Sequence, residues 1–201
     1  MRTKIGTICM ILGTVLMLSA LSLFLYNQHE AAQAQLQATE LLPQLMAAIQ
    51  ESSETAIPGG MAPTPLEPTT SGMKEINIDG YDYIGCLSIP KLELELPVMA
   101  SWDYKRLKIA PCRYTGTINK GNLVLMAHNY SYHFGGLSKL SNGDMVYFTD
   151  VTGKLTRYQV VAQDILVPTA VEEMAASGFD LTLFTCTYGG KSRVTVYCNC
   201  V

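Results

Sequence analysis

The sequence predicts an all-β domain carried behind a single N-terminal membrane-spanning helix. Three observations lead there. Residues 5–26 contain no charged side chain; residues 52–73 are rich in Pro and Gly and keep no apolar period; and from residue 74 onward short β-type runs alternate with turn residues. About eight such strands over residues 74–201, with few helices, argue for a barrel or a sandwich. The 201-residue chain is 48% hydrophobic and only 15% charged, which excludes a disordered protein. A formal net charge of −3 leaves no electrostatic footprint for nucleic acid, so none is expected as a partner. Six cysteines are too sparse for a disulfide-built mini-protein.

The uncharged run of residues 5–26 spans about 33 Å as a helix, enough for a ~30 Å hydrocarbon core. It is long for a signal-peptide core, usually about 7–15 residues. Arg2 and Lys4 precede it and Glu30 is the first charge after it, so residues 1–4 are expected in the cytoplasm and everything after residue 26 outside the cell. Ala32-Gln33-Ala34 resembles a signal-peptidase site, which makes cleavage the alternative to anchoring. Residues 27–51 read as a helical stalk, since Leu42, Leu45, Met46 and Ile49 recur at helical spacing; Pro43 is expected to kink or restart it. Residues 52–73, with Pro58, Pro63, Pro65 and Pro68, read as a flexible linker that holds the next domain away from the membrane.

Within residues 74–201 the first strand is expected over 83–89, ending at Pro90. Leu92, Leu94 and Leu96 alternate with Glu93 and Glu95, a strand with one wet face. Residues 122–127 form a buried-type run. Residues 145–149 and 155–162 flank a hairpin signal at 150–154. A short strand over 165–167 and one or two helical turns over 171–177 follow, and strands over 181–186 and 193–199 close the chain.

The last two strands flank Gly189-Gly190, a two-residue loop that accepts positive φ at both positions. That loop sets a register in which Tyr188 faces Lys191, Thr187 faces Ser192 and Cys186 faces Arg193. Directly opposed residues share a face, so the turn alone sets a thiol beside a guanidinium. Leu181, Leu183, Val194, Val196 and Cys198 fall on an apolar face; Thr182, Phe184, Cys186, Arg193, Thr195 and Tyr197 fall on a more polar one. A thiolate is stabilised next to a fixed positive charge. A nucleophilic cysteine also needs a proton carrier, and His128 and His133 are the candidates beyond the stalk. His128 follows directly on the 122–127 strand, a rigid mount, whereas His133 lies in a loop rich in aromatic residues and Gly, so His128 is preferred.

Thr182-Leu183-Phe184-Thr185-Cys186 resembles the TLxTC signature of sortases. Arg193 stands on the next strand, where the sortase arginine stands, and Gly121-Asn122-Leu123-Val124-Leu125-Met126-Ala127-His128-Asn129 is similar to the segment bearing the sortase histidine. The resemblance runs over about residues 80–198. It implies an eight-stranded β-barrel with short helices and a membrane-anchored, extracellular cysteine transpeptidase. By that resemblance Cys186 attacks an LPxTG-like sorting signal and forms a thioacyl-enzyme. His128 serves the leaving and entering amines, and Arg193 holds substrate or stabilises the oxyanion. The acceptor is a peptidoglycan amine, and the flanking Thr185, Tyr188 and Asn129 are expected to contact substrate.

The sequence lacks the DPW- or DPF-like lid motif of class C sortases and a C-terminal hydrophobic segment. The interval from His128 to Cys186 is already filled by strands and one or two helical turns, without the sizeable helix of class B. A compact class A, D or E-like enzyme is expected. Of the other cysteines, Cys9 falls in the span; Cys86, Cys112, Cys198 and Cys200 read as small buried hydrophobes, with one bridge or a four-Cys zinc site as alternatives. No metal or cofactor is expected. The competing readings are an inactive membrane-tethered binding module and a thiol hydrolase that releases its acyl group to water.

The register yields a test. One residue inserted between Gly189 and Gly190 should shift the pairing or add a bulge, moving Arg193 away from Cys186 while the fold stays stable, because longer loops cost little extra closure entropy. Peptide cleavage should fall as far as in Arg193→Ala. A folded insertion variant with near-normal activity would remove the register argument.

Overall fold

The computed structural model describes residues 2–54 and 72–201. Helix α1 runs Arg2–Glu54 and includes Gly6–His29, an apolar stretch long enough to cross a membrane and not buried in the protein. The linker expected over 52–73 lies mostly outside the described residues. Nine strands follow: β1 Ile76–Ile78, β2 Tyr81–Ile89, β3 Leu94–Met99, β4 Cys112–Thr115, β5 Leu123–Ala127, β6 Met145–Asp150, β7 Leu155–Leu166, β8 Leu181–Cys186 and β9 Arg193–Cys200. A short helix α2, Val171–Ala175, precedes β8.

Strands β2-β3-β4-β5-β8-β9-β7-β6 hydrogen-bond in that order, and β6 pairs back onto β2, closing an eight-stranded barrel. Strand β1 lies outside the circle as a hairpin partner of β2. Closure leaves no open edge on the barrel. It also requires a glycine, because β2 is hydrogen-bonded on both sides where β6 returns. Gly85 has φ 150°, and a Cβ there would stand 2.1 Å from the Thr149 carbonyl oxygen. Inward side chains from every barrel strand but β4, among them Ile84, Leu87, Val98, Leu125, Phe148, Val160, Leu183 and Val196, fill the interior.

Several expected elements are altered by backbone chemistry. Pro90 opens a 3₁₀ turn through Leu92, and Glu93 takes a left-handed φ of 54°, so the alternating strand begins only at Leu94. The expected strands over 155–162 and 165–167 are one strand, β7, bulged between Val160 and Ala162. The hairpin at 150–154 is built as expected: the Asp150 carboxylate accepts from the Thr152 and Lys154 amides, at 2.8 and 3.1 Å. Strands β1 and β4 were not legible. They are three and four residues long, and β4 is hemmed by Pro111 and Gly116.

The expected stalk does not restart at Pro43 and is not separate from the domain. Helix α1 continues through Pro43, and its last turns pack on the barrel exterior. Leu45 and Ile49 are buried there with Tyr83, Met99, Leu107, Ala110, Cys112 and Val151, and the Ser52 hydroxyl donates to the Val151 carbonyl at 2.8 Å. Proline inside a helix costs about 3 kcal/mol, and burial of Leu45 and Ile49, each contributing about 1.5–3 kcal/mol, offsets it. The domain's own packing therefore begins before the linker.

That packing has a direction. Leu45→Ala should destabilise the full chain by about 2–5 kcal/mol. Met46→Ala, on the exposed side of the same helix, should change it by less than about 0.5 kcal/mol. Thermal melts in detergent compare the two, and equal losses would mean that the buried stripe is misassigned.

Candidate active site

Two strand pairings build the site. Strands β5 and β8 are parallel neighbours in a register that ends at Ala127 opposite Thr185. The Thr185 hydroxyl, fully inside the protein, donates to the Ala127 carbonyl at 2.8 Å and pins that last pair. The next residue on each strand is His128 and Cys186. On the other side of β8, antiparallel pairing with β9 sets Cys186 opposite Arg193. Histidine, cysteine and arginine thus stand at one end of three adjacent strands, about 4.8 Å apart from strand to strand, each half-buried.

The β8–β9 hairpin keeps the expected register with a larger loop than expected. The pairing stops at Thr187 and Ser192, joined by a 2.9 Å backbone bond, and Tyr188 and Lys191 do not pair. Residues Tyr188–Gly190 form a 3₁₀ turn in which the Gly190 amide donates to the Thr187 carbonyl. Gly189 and Gly190 both take positive φ, 78° and 71°. Nη1 of Arg193 donates to the Gly190 and Ser192 carbonyls at 3.2 and 3.1 Å. Among the described residues no partner bonds its Nε or Nη2, so one edge of the guanidinium remains for a ligand.

The face assigned to Cys186 is not wet along its length. Thr182, Phe184, Thr195 and Tyr197 are buried. The segment between β7 and β8 folds over them: Leu166, Ala170 and Met174 pack on Phe184 and Val124, and Phe179 stacks on Tyr197 at 4.7 Å. Only the strand end, with Cys186 and Arg193, emerges from this cover.

A cavity of about 520 Å³ opens at that end, between the 129–131 loop and the 186–190 hairpin. Cys186, Asn129 and Tyr188 line it, and Phe24, Asn27 and Gln28 of α1 form a further wall. Tyr188 is 93% exposed at the hairpin tip. Thr185 is not on the wall; its hydroxyl is spent on Ala127, so it lies beneath the site and not in reach of a substrate. His128 flanks the cavity through Tyr130, whose ring centroid is 4.9 Å from its own. Tyr130 and the α1 wall were missed from sequence. Tyr130 was within reach, two residues from His128; the wall joins residues more than 100 positions apart.

The other thiols are set apart by their surroundings. Burial pushes Cys86, Cys112 and Cys198 up to about 12, and Cys200 is raised by burial and then by Asp180. These thiols are protonated at neutral pH and poor nucleophiles. All six cysteines are free, without a disulfide, and no cluster of metal-ligating side chains occurs among the described residues.

Comparison with known proteins matches this architecture. The sequence model of the Sortase domain family matches residues 87–201. Sortase A of Bacillus anthracis is 31% identical over 126 residues, which is 60% of this chain and 60% of that relative's length. Among solved structures, a Streptococcus suis sortase C1 is 25% identical with a TM-score of 0.50, over 59% of this chain and 73% of that one. A Clostridium perfringens sortase C, solved with a C-terminal cell wall sorting motif, is 23% identical with a TM-score of 0.55, over 81% and 90%. Class A and class C relatives both occur among these matches. With the family's domain matched over more than half of the sequence and its barrel present, the chain belongs to the sortase family.

Proposed function

We propose that the chain is a membrane-anchored cysteine transpeptidase of the compact, class A, D or E-like kind. It cleaves an LPxTG-like sorting signal and transfers the surface protein to a peptidoglycan amine. The observation that supports this most is the alignment of His128, Cys186 and Arg193 on three neighbouring strand ends. The Clostridium relative with a bound sorting motif supports the substrate class.

The chemistry follows from the three side chains. The Cys186 thiolate attacks the Thr carbonyl carbon of the sorting signal, and the carbonyl electron pair moves onto oxygen. The Arg193 guanidinium, with an edge left for a ligand, stabilises that oxyanion. Collapse breaks the C–N bond, and the imidazolium of His128 gives its proton to the departing amine. The thioester that remains is attacked by the acceptor amine, now deprotonated by neutral His128, and Cys186 leaves as thiolate. The active enzyme holds thiolate and imidazolium together, a coupled state that belongs to the pair. Asn129 and Tyr188 on the cavity wall are the side chains available to contact the peptide. The N-terminus lies in the cytoplasm and the barrel outside, by the charge bias of Arg2 and Lys4.

Two experiments test this. Incubated with LPxTG-like peptides, the wild type should gain a thioester adduct by intact mass spectrometry and pass the peptide to an added amine. Cys186→Ala should form no adduct while staying folded, and His128→Ala should lose about 10²–10⁴ in kcat. Arg193→Lys should also be poor, because an ammonium lacks the planar fork of donors. Turnover by Cys186→Ala would end the assignment, and product released only to water would identify a hydrolase. For topology, protease added to intact cells should digest the barrel and spare residues 1–4; a soluble form starting near residue 35 would mean that the helix is a cleaved signal.

A further inference from the structure

His133 takes no part in the chemistry above, yet it is 0% exposed in a loop whose neighbours Ser131, Tyr132 and Gly135 face solvent. Neither ring nitrogen makes a hydrogen bond of normal geometry. A buried polar group in that condition costs about 1–3 kcal/mol, so a purely structural position would favour an apolar ring. The imidazole has an aromatic ring as its neighbour. Its centroid lies 5.5 Å from that of Tyr130, tilted by 42°, and the Tyr130 ring lies 4.9 Å from His128, tilted by 34°.

The backbone is wound to hold this stack. The Phe134 amide donates to the His128 carbonyl at 3.1 Å, and the His133 and Gly135 amides both donate to the Tyr130 carbonyl, at 3.0 and 2.9 Å. Phe134 is seated in the barrel core. A Cβ at residue 135 would stand 2.5 Å from the Asn129 carbonyl oxygen and 2.7 Å from that of Tyr130, so the loop closes only with glycine there.

We propose that His133 is a positioning residue for His128: through the Tyr130 ring it fixes the orientation of the His128 imidazole beside Cys186. The inference rests on the catalytic role proposed for His128. Electrostatics agree with the geometry. Burial, then the His128 charge, pushes the His133 pKa down to about 4, opposed in part by the Ile109 backbone. A neutral His133 adds no charge that would disfavour the imidazolium of His128, since repulsion between the two rings is mutual. The ring orders its neighbour without competing for the proton.

The chain has three histidines, His29, His128 and His133, so selective ¹³C labelling of the full chain in detergent micelles gives a resolvable spectrum. In the wild type the His133 resonance should stay fixed between about pH 8 and pH 5.5. His133→Ala and Tyr130→Leu should each shift the His128 resonance. Each should also lower kcat for sorting-peptide cleavage by about tenfold to a hundredfold, with KM within about twofold. His133→Phe, which keeps a neutral ring, should restore most of the rate. Melting curves show whether His133→Ala folds; if it does not, Tyr130→Leu decides.

An unchanged His128 resonance and kcat in the folded variants would overturn the proposal, as would a His133 that titrates near its ordinary 6.5, or a His133→Phe no better than Ala. If the wild type cleaves no sorting peptide at all, the proposed function fails. The resonance shifts still decide whether the stack orders His128.

Discussion

The parallel pairing of β5 with β8 is the constraint on which the site depends. Parallel strands need a long crossover, and here the chain from residue 128 to residue 180 supplies it by building β6, β7 and the covering segment. Once that crossover returns, a single register decides what stands next to Cys186. The buried Thr185–Ala127 hydrogen bond locks the last pair. A slip of one residue would turn the whole of β8 inside out, setting Phe184 and Thr182 in the barrel and Leu183 outside. A slip would break the Thr185–Ala127 bond and set the Thr182 hydroxyl in the apolar barrel interior, and both costs protect the geometry.

Strand β8 is held from both faces. Leu181 and Leu183 fill the barrel interior, while Phe184 lies under Leu166, Ala170 and Met174. A strand buried on both sides is rigid up to its last residue, and Cys186 is that residue. The role proposed for Cys186 gains from that rigidity, since a displacement of about 1 Å at a reacting atom costs catalysis heavily. The outer cluster is small, but it leaves the strand end as the exposed part of an otherwise dry element.

Helix α1 links the apolar span to the barrel without a break. Its last turns dock through Leu45 and Ile49, and Phe24, Asn27 and Gln28, near the end of the apolar stretch, reach the cavity that holds Cys186. The helix is therefore both a candidate anchor and part of the domain's architecture. The apolar stretch and a wall of the site belong to one continuous element.

Much of this was written in the local sequence. The uncharged run of residues 5–26, the period-2 strands, the Asp150–Lys154 turn and the Gly189-Gly190 register are short-range features, and each is set by interactions within a few residues. The Cys186–Arg193 pair was legible for that reason: a tight turn joins its strands. Tertiary structure alone decided the rest. Strands β1 and β4 form because neighbours recruit them, not because three or four residues prefer to be extended. The face bearing Cys186 reads as polar in β8 and β9, and is dry because a segment from elsewhere in the chain covers it. Pro43 reads as a helix breaker, and the helix survives it because Leu45 and Ile49 find a surface. His133 reads as a loop residue and is buried because the loop coils back on Tyr130. In each case the deciding interaction joins residues that are distant in sequence or sets packing against local preference, and no local pattern encodes that balance.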